Sequence, residues 1–131
     1  MIVVDTNVIA YLHLPGPFTA RCEALLSRDS EWAVPTLWRS EFRNILAAYL
    51  RRGTLTFHQA VQLQGEAEAL VSGMEYVVDS LSVLELVRDS DCSAYDCEFV
   101  ALARSLEVPL ASMDRKLIRA FPTVAVAIDR L

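Results

Sequence analysis

The sequence predicts an α/β fold in which one parallel sheet lies between layers of helices. Three observations lead there. Short apolar runs, several rich in β-branched residues, recur along the chain at 2–4, 32–34, 76–78, 108–111 and 124–128. The longer segments between them carry apolar residues at helical spacing. The two kinds alternate from one end to the other, which is the pattern of strand–helix–strand units that parallel sheets require. A length of 131 residues suits one domain, 1–131, with a substantial core.

Ile2 to Val4 opens the chain as a strand buried on both faces, and Asp5-Thr6-Asn7 follows as its carboxyl edge and as the cap of a helix. That helix runs from Val8 to Leu14 and stops at Pro15-Gly16-Pro17. Phe18 to Ser27 is again helical in pattern, and Trp32 to Val34 is the second strand. Thr36 is the expected N-cap of a long helix reaching Arg52, with Gly53 at its end. Glu41 falls in the second turn of that helix and shares a face with Asn44, while Arg39 and Arg43 share another edge. Thr56-x-x-Gln59 reads as a capping box before a helix to about Ser72. Tyr76 to Val78 is the third strand. Ser82-x-x-Glu85 and Ser93-x-x-Asp96 are two more capping patterns, the second opening an apolar helix to Leu106. Val108 to Ala111 is the fourth strand, Arg115 to Ala120 a short helix, and Val124 to Ile128 the last strand.

Composition narrows the function. A hydrophobic content of 53% and a mean hydropathy of +0.31 suit a two-sided α/β core and an apolar partner surface. No stretch approaches the roughly 18 uninterrupted apolar residues of a membrane span, and the opening run lacks the basic flank and length of a signal peptide, so a cytoplasmic location is expected. Cys22, Cys92 and Cys97 are odd in number and form no CxxC pair, which points to buried reduced thiols rather than disulfides or zinc. A net charge of −5 argues against a polyanionic partner unless the acids gather at one metal site, where two divalent cations would leave −1.

Four acids occupy places that permit such a gathering. Asp5 follows the first strand, Asp114 follows the fourth, Asp96 opens a helix, and Glu41 lies early in another. Sites in open α/β sheets form at the carboxyl ends of the strands, and hard cations such as Mg²⁺ or Mn²⁺ take oxygen ligands of this kind. Each acid also has an ordinary reading. Asp5 and Asp114 can simply cap helices, Glu41 can face solvent, and Asp96 can be the acid of a capping box. From the residues alone both readings stand.

Four motifs in order carry a resemblance: Ile-Val-Val-Asp-Thr-Asn at 2–7, Ser-Glu at 40–41, Ser-Ala-Tyr-Asp-Cys-Glu-Phe-Val-Ala-Leu-Ala at 93–103, and Pro-Leu-Ala-Ser-Met-Asp-Arg-Lys-Leu at 109–117. The chain resembles PIN-domain ribonucleases, most of all the VapC toxins of toxin–antitoxin pairs, over nearly its whole length. That resemblance implies a three-layer sandwich with a parallel sheet in the order 3-2-1-4-5. It implies metal-dependent cleavage of RNA, with Asp5, Glu41, Asp96 and Asp114 as catalytic and Mg²⁺- or Mn²⁺-ligating residues. It also implies a cognate antitoxin protein and a homodimer or higher toxin–antitoxin assembly. Thr6 and Ser112 match positions where the family often carries a hydroxyl near the site. Ser112 departs mildly from the commoner Thr, Cys97 stands where Ala is frequent, and Leu117 excludes a fifth ligand that some members have there.

Arg39, Arg43, Arg115 and Lys116 are candidate phosphate contacts, with ordinary solvated surface or antitoxin contact as the alternative for each. Trp38, Phe42, Leu46 and Tyr49 are candidates for lining an antitoxin groove, with core packing expected for at least two. His13 and His58 lie outside the motifs, which argues against a histidine-based, metal-free ribonuclease. Other classes fit less well. A phosphatase with an aspartyl nucleophile wants an acid where Asn7 stands, and a receiver-like binding module wants paired acids near Asp5. A catalytically inactive PIN-like module would have lost site acids, and a solitary RNA-processing nuclease would lack a neighbouring antitoxin gene.

Overall fold

A computed structural model describes residues 1–131. Five strands form, β1 (Ile2–Val4), β2 (Trp32–Pro35), β3 (Glu75–Tyr76), β4 (Leu110–Ser112) and β5 (Ala125–Ala127). All neighbours pair in parallel, in the order β3-β2-β1-β4-β5 that the resemblance implied. β1 is central, with Val3 opposite Ala33 on one side and Leu110 on the other. Every residue of β1, β2 and β4 is buried. A strand covered on both faces has no polar side to show, hence the continuous apolar runs in place of alternation.

Seven helices surround the sheet: α1 (Thr6–His13), α2 (Thr19–Arg28), α3 (Trp38–Arg51), α4 (Phe57–Leu70), α5 (Ser80–Arg88), α6 (Ala94–Leu106) and α7 (Arg115–Ala120). A 3₁₀ turn, Ile128–Arg130, follows β5. From β1 the chain steps outward to β3 through α1 to α4, then returns past β1 to β4 through α5 and α6. Right-handed crossovers place these two sets on opposite faces. α6 packs against β1, β2 and β4, and its residues Phe99 to Ala103 are all buried, which explains the unbroken apolar stretch there. No helix is long and apolar enough to cross a membrane. Cys22, Cys92 and Cys97 are free and buried, as expected.

Several local expectations are corrected. Thr36 does not cap α3. Its N–H extends the sheet ladder to the Tyr76 carbonyl at 3.0 Å, while the helix begins two residues on, at Trp38, where Leu37 offers no capping side chain. Glu41 therefore falls in the first turn of α3 rather than the second. The third strand is Glu75–Tyr76, not 76–78, because β2 ends opposite Tyr76 and leaves Val77 unpaired and 89% exposed. α5 is capped by Asp79, whose Oδ2 accepts from the Ser82 N–H and hydroxyl, both at 3.0 Å. The Thr56–Gln59 capping box forms as expected.

Trp38 and Phe42 are fully buried, so neither lines an open groove. The Trp38 indole N–H donates to Glu75 Oε2 at 2.8 Å. Arg39 holds the same carboxylate with two bonds, 2.6 and 2.7 Å, and reaches Glu68 at 2.8 Å. Its guanidinium bond holds Glu75 below the usual carboxylate range. This cluster ties α3 and α4 to edge strand β3. Bidentate geometry with several partners is the condition under which a surface ion pair contributes to stability. Arg39→Ala is expected to lower Tm, and Arg39→Lys to restore it only in part because an ammonium lacks the planar fork. Calorimetric melting of the three proteins checks this, and equal Tm values would show the cluster to be energetically idle.

Candidate active site

Successive strands leave β1 in opposite directions, to β2 on one side and β4 on the other. Such a switch point opens a crevice at the carboxyl ends, and Asp5 and Asp114 stand there, one just after β1 and the other two residues after β4. Asp5 is the N-cap of α1, its Oδ1 accepting from the Val8 N–H at 3.2 Å. Asp114 is the N-cap of α7, its Oδ1 accepting from Lys116 N at 2.9 Å and Leu117 N at 3.3 Å. Ser112 links the two. Its hydroxyl donates to Asp5 Oδ2 and accepts the Asp114 N–H at 3.0 Å, and the residue is wholly buried. Thr6, at the start of α1, donates to Glu41 Oε1 at 2.7 Å and so orients the acid contributed by α3. Ser93 caps α6 through the Asp96 N–H at 3.1 Å. The reciprocal half of that capping pattern does not form, and Asp96 lines the crevice.

Asp5, Glu41, Asp96 and Asp114 line one cavity of about 230 Å³, together with Thr6, Asn7, Asn44, Ile45, Phe99 and Leu117. No lysine, arginine or histidine lines it. Burial, reinforced by the Asp114 charge, pushes the Asp5 carboxyl up to about 6, against the pull of its bonds to Ser112 and Val8. Burial and then the Asp96 charge raise Glu41, with the Thr6 bond opposing. Burial and then the Asp114 charge raise Asp96. Buried carboxylates held together resist ionisation in this way, and at Asp96 the Lys116 charge offsets it only in part.

The residues fit a hard cation of a particular kind. The donors are all oxygen, the cavity lacks cationic side chains, and the acids repel one another. Yet no three of the acidic, histidine or cysteine side chains close into a cage. Mg²⁺ needs only one or two carboxylates and keeps several waters, whereas zinc would call for nitrogen or sulfur in a closed shell. An open ring of acids matches the first requirement and not the second.

A parallel sheet in this order, with acids collected at its switch point, describes a PIN domain. The family model for "PIN domain" matches residues 2–121, and the chain belongs to that family. In sequence it is similar to Ribonuclease VapC3 of Pyrobaculum aerophilum, at 27% identity over 126 residues covering 94% of this chain and 96% of that protein. In structure it is similar to FitAcB from Neisseria gonorrhoeae, with a TM-score of 0.79 and 19% identity over the whole of both chains. It is also similar to a chain of a toxin–antitoxin complex from Klebsiella pneumoniae, with a TM-score of 0.72 and 14% identity over 98% of each. At such identities the structural likeness speaks for the fold.

Of the predicted cationic contacts, Lys116 lies near enough for its charge to pull Asp96 down, while the three arginines do not gather with the acids. Arg39 is engaged with Glu75 and Glu68. Arg43 lines an apolar groove between α3 and α4, beside Leu46, Phe57 and Val61. Arg115 lines a separate cavity near the end of β5. Conversely, Asn7 and Asn44 line the acidic cavity without having been singled out as site residues. Asn44 was findable from its spacing of three from Glu41, and Asn7 from its place beside Asp5.

Proposed function

We propose that the chain, as one PIN domain over 1–131, is an endoribonuclease that hydrolyses RNA phosphodiester bonds with Mg²⁺ or Mn²⁺, and that it is the toxin of a toxin–antitoxin pair. The observation that carries this reading is the convergence of Asp5, Glu41, Asp96 and Asp114 on one cavity with no cation of its own. The ribonuclease among its relatives and the toxin–antitoxin complex among its structural neighbours support it.

Asp5, Glu41, Asp96 and Asp114 are the residues that would hold the ion. A bound divalent ion activates water near neutral pH and offsets charge developing on phosphate. The protein's own part is positioning. Ser112 and the Val8 N–H fix both oxygens of Asp5, and Thr6 fixes Glu41. Phe99 and Leu117 give the cavity an apolar wall. Cleavage by water leaves a 5′-phosphate and a 3′-hydroxyl. A cognate antitoxin, and a homodimer or larger assembly with it, complete the reading.

The test is cleavage of a mixed RNA pool by purified, antitoxin-free protein in Mg²⁺, Mn²⁺ or EDTA, beside Asp96→Asn. Cleavage that requires metal and disappears in the variant supports the proposal. A folded protein that neither cleaves RNA nor binds metal would refute it.

Ser112 supplies a second check. Its bond is the largest influence lowering Asp5, so Ser112→Ala raises that carboxyl further. A ligand must be deprotonated to bind metal, so the pH midpoint for Mn²⁺ binding moves upward, and Ser112→Thr restores it. Calorimetric Mn²⁺ titrations across a pH series read this directly. A midpoint indifferent to Ser112→Ala would remove the serine from this role.

A further inference from the structure

Beyond the acidic cavity, the carboxyl edge of the sheet continues to the end of β5, about 4.8 Å further on as strands are spaced. A second cavity of about 460 Å³ lies there, lined by Tyr11, Phe18, Arg21, Arg115 and Arg130. The two cavities are lined by adjacent residues of one segment. Asp114 lines the first, while its chain neighbours Met113 and Arg115 line the second. The geometry points to a nucleotide subsite, in which the RNA residue next to the cleaved phosphate lays its base on the Tyr11–Phe18 wall and its backbone phosphate against Arg115 and Arg130. This rests on the nuclease reading above.

Charge repulsion keeps a polyanion off the four acids themselves. A cavity ringed by four acids has no cationic side chain in its lining to attract an RNA backbone, so the strand must be gripped beside it. The second cavity has three guanidinium groups against one carboxylate, Asp129, in a chain of net charge −5. Arg21 is already occupied, paired with Asp129 at 3.5 Å and lying 5.4 Å from the Phe18 ring centre. Arg115 and Arg130 are exposed and form no salt bridge. Tyr11 and Phe18 pack at 5.0 Å between centroids and remain half-buried, so part of their aromatic surface stays open to a ligand. Aromatic surface beside free cations is what single-stranded nucleic acid binds, the base by stacking and the backbone by charge.

The cavity is also held in shape. The Arg28 guanidinium donates to the Ile128 carbonyl at 3.3 Å, and Arg21 grips Asp129 from the same helix. Both contacts pin the 3₁₀ turn that carries Arg130 against α2.

The test uses a short fluorescent single-stranded oligoribonucleotide and protein carrying Asp96→Asn, so that binding is read without cleavage. Fluorescence anisotropy gives Kd across a salt series. Adding Arg115→Gln and Arg130→Gln together is expected to weaken binding about tenfold or more and to flatten the log–log salt slope by about 1.4. Phe18→Leu keeps the apolar bulk and removes the stacking face. It is expected to weaken binding by roughly five- to a hundredfold at an unchanged salt slope. An oligonucleotide abasic at the neighbouring position should be weak from the start and indifferent to Phe18→Leu. A circular-dichroism spectrum and a Tm equal to those of the Asp96→Asn parent show that each variant is folded. Unchanged RNA affinity and salt slope in folded variants would overturn the subsite and leave the nuclease standing. So would unchanged RNA affinity with loss of a co-expressed antitoxin, which would make the cavity a protein contact. If the wild-type protein does not cut RNA and the Asp96→Asn parent does not bind it, the nuclease reading falls and the subsite with it.

Discussion

Asp5→Asn is expected to make the protein inactive and more stable at the same time. Asp5 is 8% exposed, and its carboxyl is raised from 3.8 to about 6, chiefly by burial. At pH 7 the native state therefore holds an anion that the unfolded chain would ionise more readily, and a shift of this size corresponds to about 3 kcal/mol of destabilisation. The sign follows from proton binding. Between pH 4 and 6 the native state binds more protons than the unfolded state, so wild-type stability from this group is complete below 3.8 and lost as pH rises through about 6. An asparagine removes the charge and keeps the cap, since Asn and Asp serve equally well before a helix. It also turns an amide N–H₂ toward the Ser112 hydroxyl, which can no longer donate there, so the net gain is about 1–3 kcal/mol at pH 7. Cleavage should fall at least a hundredfold or so, because loss of groups that merely support a metal ligand already costs roughly ten- to a hundredfold. Melting at pH 5 and pH 7, without metal, beside cleavage with metal, measures both halves. The variant's Tm advantage should be several degrees at pH 7 and smaller at pH 5. Retained cleavage would take Asp5 out of the site, and a lowered Tm at pH 7 would mean that its carboxylate is stabilising rather than tolerated.

That double effect also shows what the sequence could express. An Asp after a buried strand reads as a cap or as a ligand, and in the structure it is already a cap while it lines the acidic cavity. The two readings never competed, because capping uses one oxygen and leaves the second for Ser112 and the cavity. The fold was legible because strands buried on both faces leave unbroken apolar runs, and acids at their ends mark the carboxyl edge. The position of each arginine was not. A guanidinium on a helix next to a site acid can turn to either side, and the choice depends on partners distant in sequence. Glu75, 36 residues from Arg39, takes that side chain away from the cavity. Cap placement failed for a related reason. Thr36 has the right side chain to start a helix, but its backbone still extends the sheet ladder to Tyr76 and the helix begins two residues later, at Trp38, and pairing between strands is invisible to local pattern.

Trp38 poses the same ambiguity with the largest energetic consequence. As an aromatic residue on a helix near a proposed partner surface, it reads from sequence as a groove anchor or as core. In the structure it is fully buried, packs against Phe42 at 5.8 Å between ring centres, and donates its indole N–H to Glu75. Trp38→Ala would empty a large volume beneath α3 and leave Glu75 to Arg39 alone. Truncating a buried Trp costs about 3–5 kcal/mol, a large share of the roughly 5–15 kcal/mol that holds a domain folded. Trp38→Phe keeps most of the ring volume and loses the hydrogen bond, so its cost should be nearer 1–2 kcal/mol. Urea unfolding measures both, because Trp32, fully buried with its indole N–H on the Asp29 carbonyl at 2.8 Å, remains as the fluorescent reporter in each variant. A core tryptophan gives the graded series, with wild type above Phe and Phe above Ala. A groove anchor instead leaves all three within about 0.5 kcal/mol, as surface changes do, and shows its loss only in affinity for the partner. The two outcomes differ by several kcal/mol, well beyond the error of the measurement.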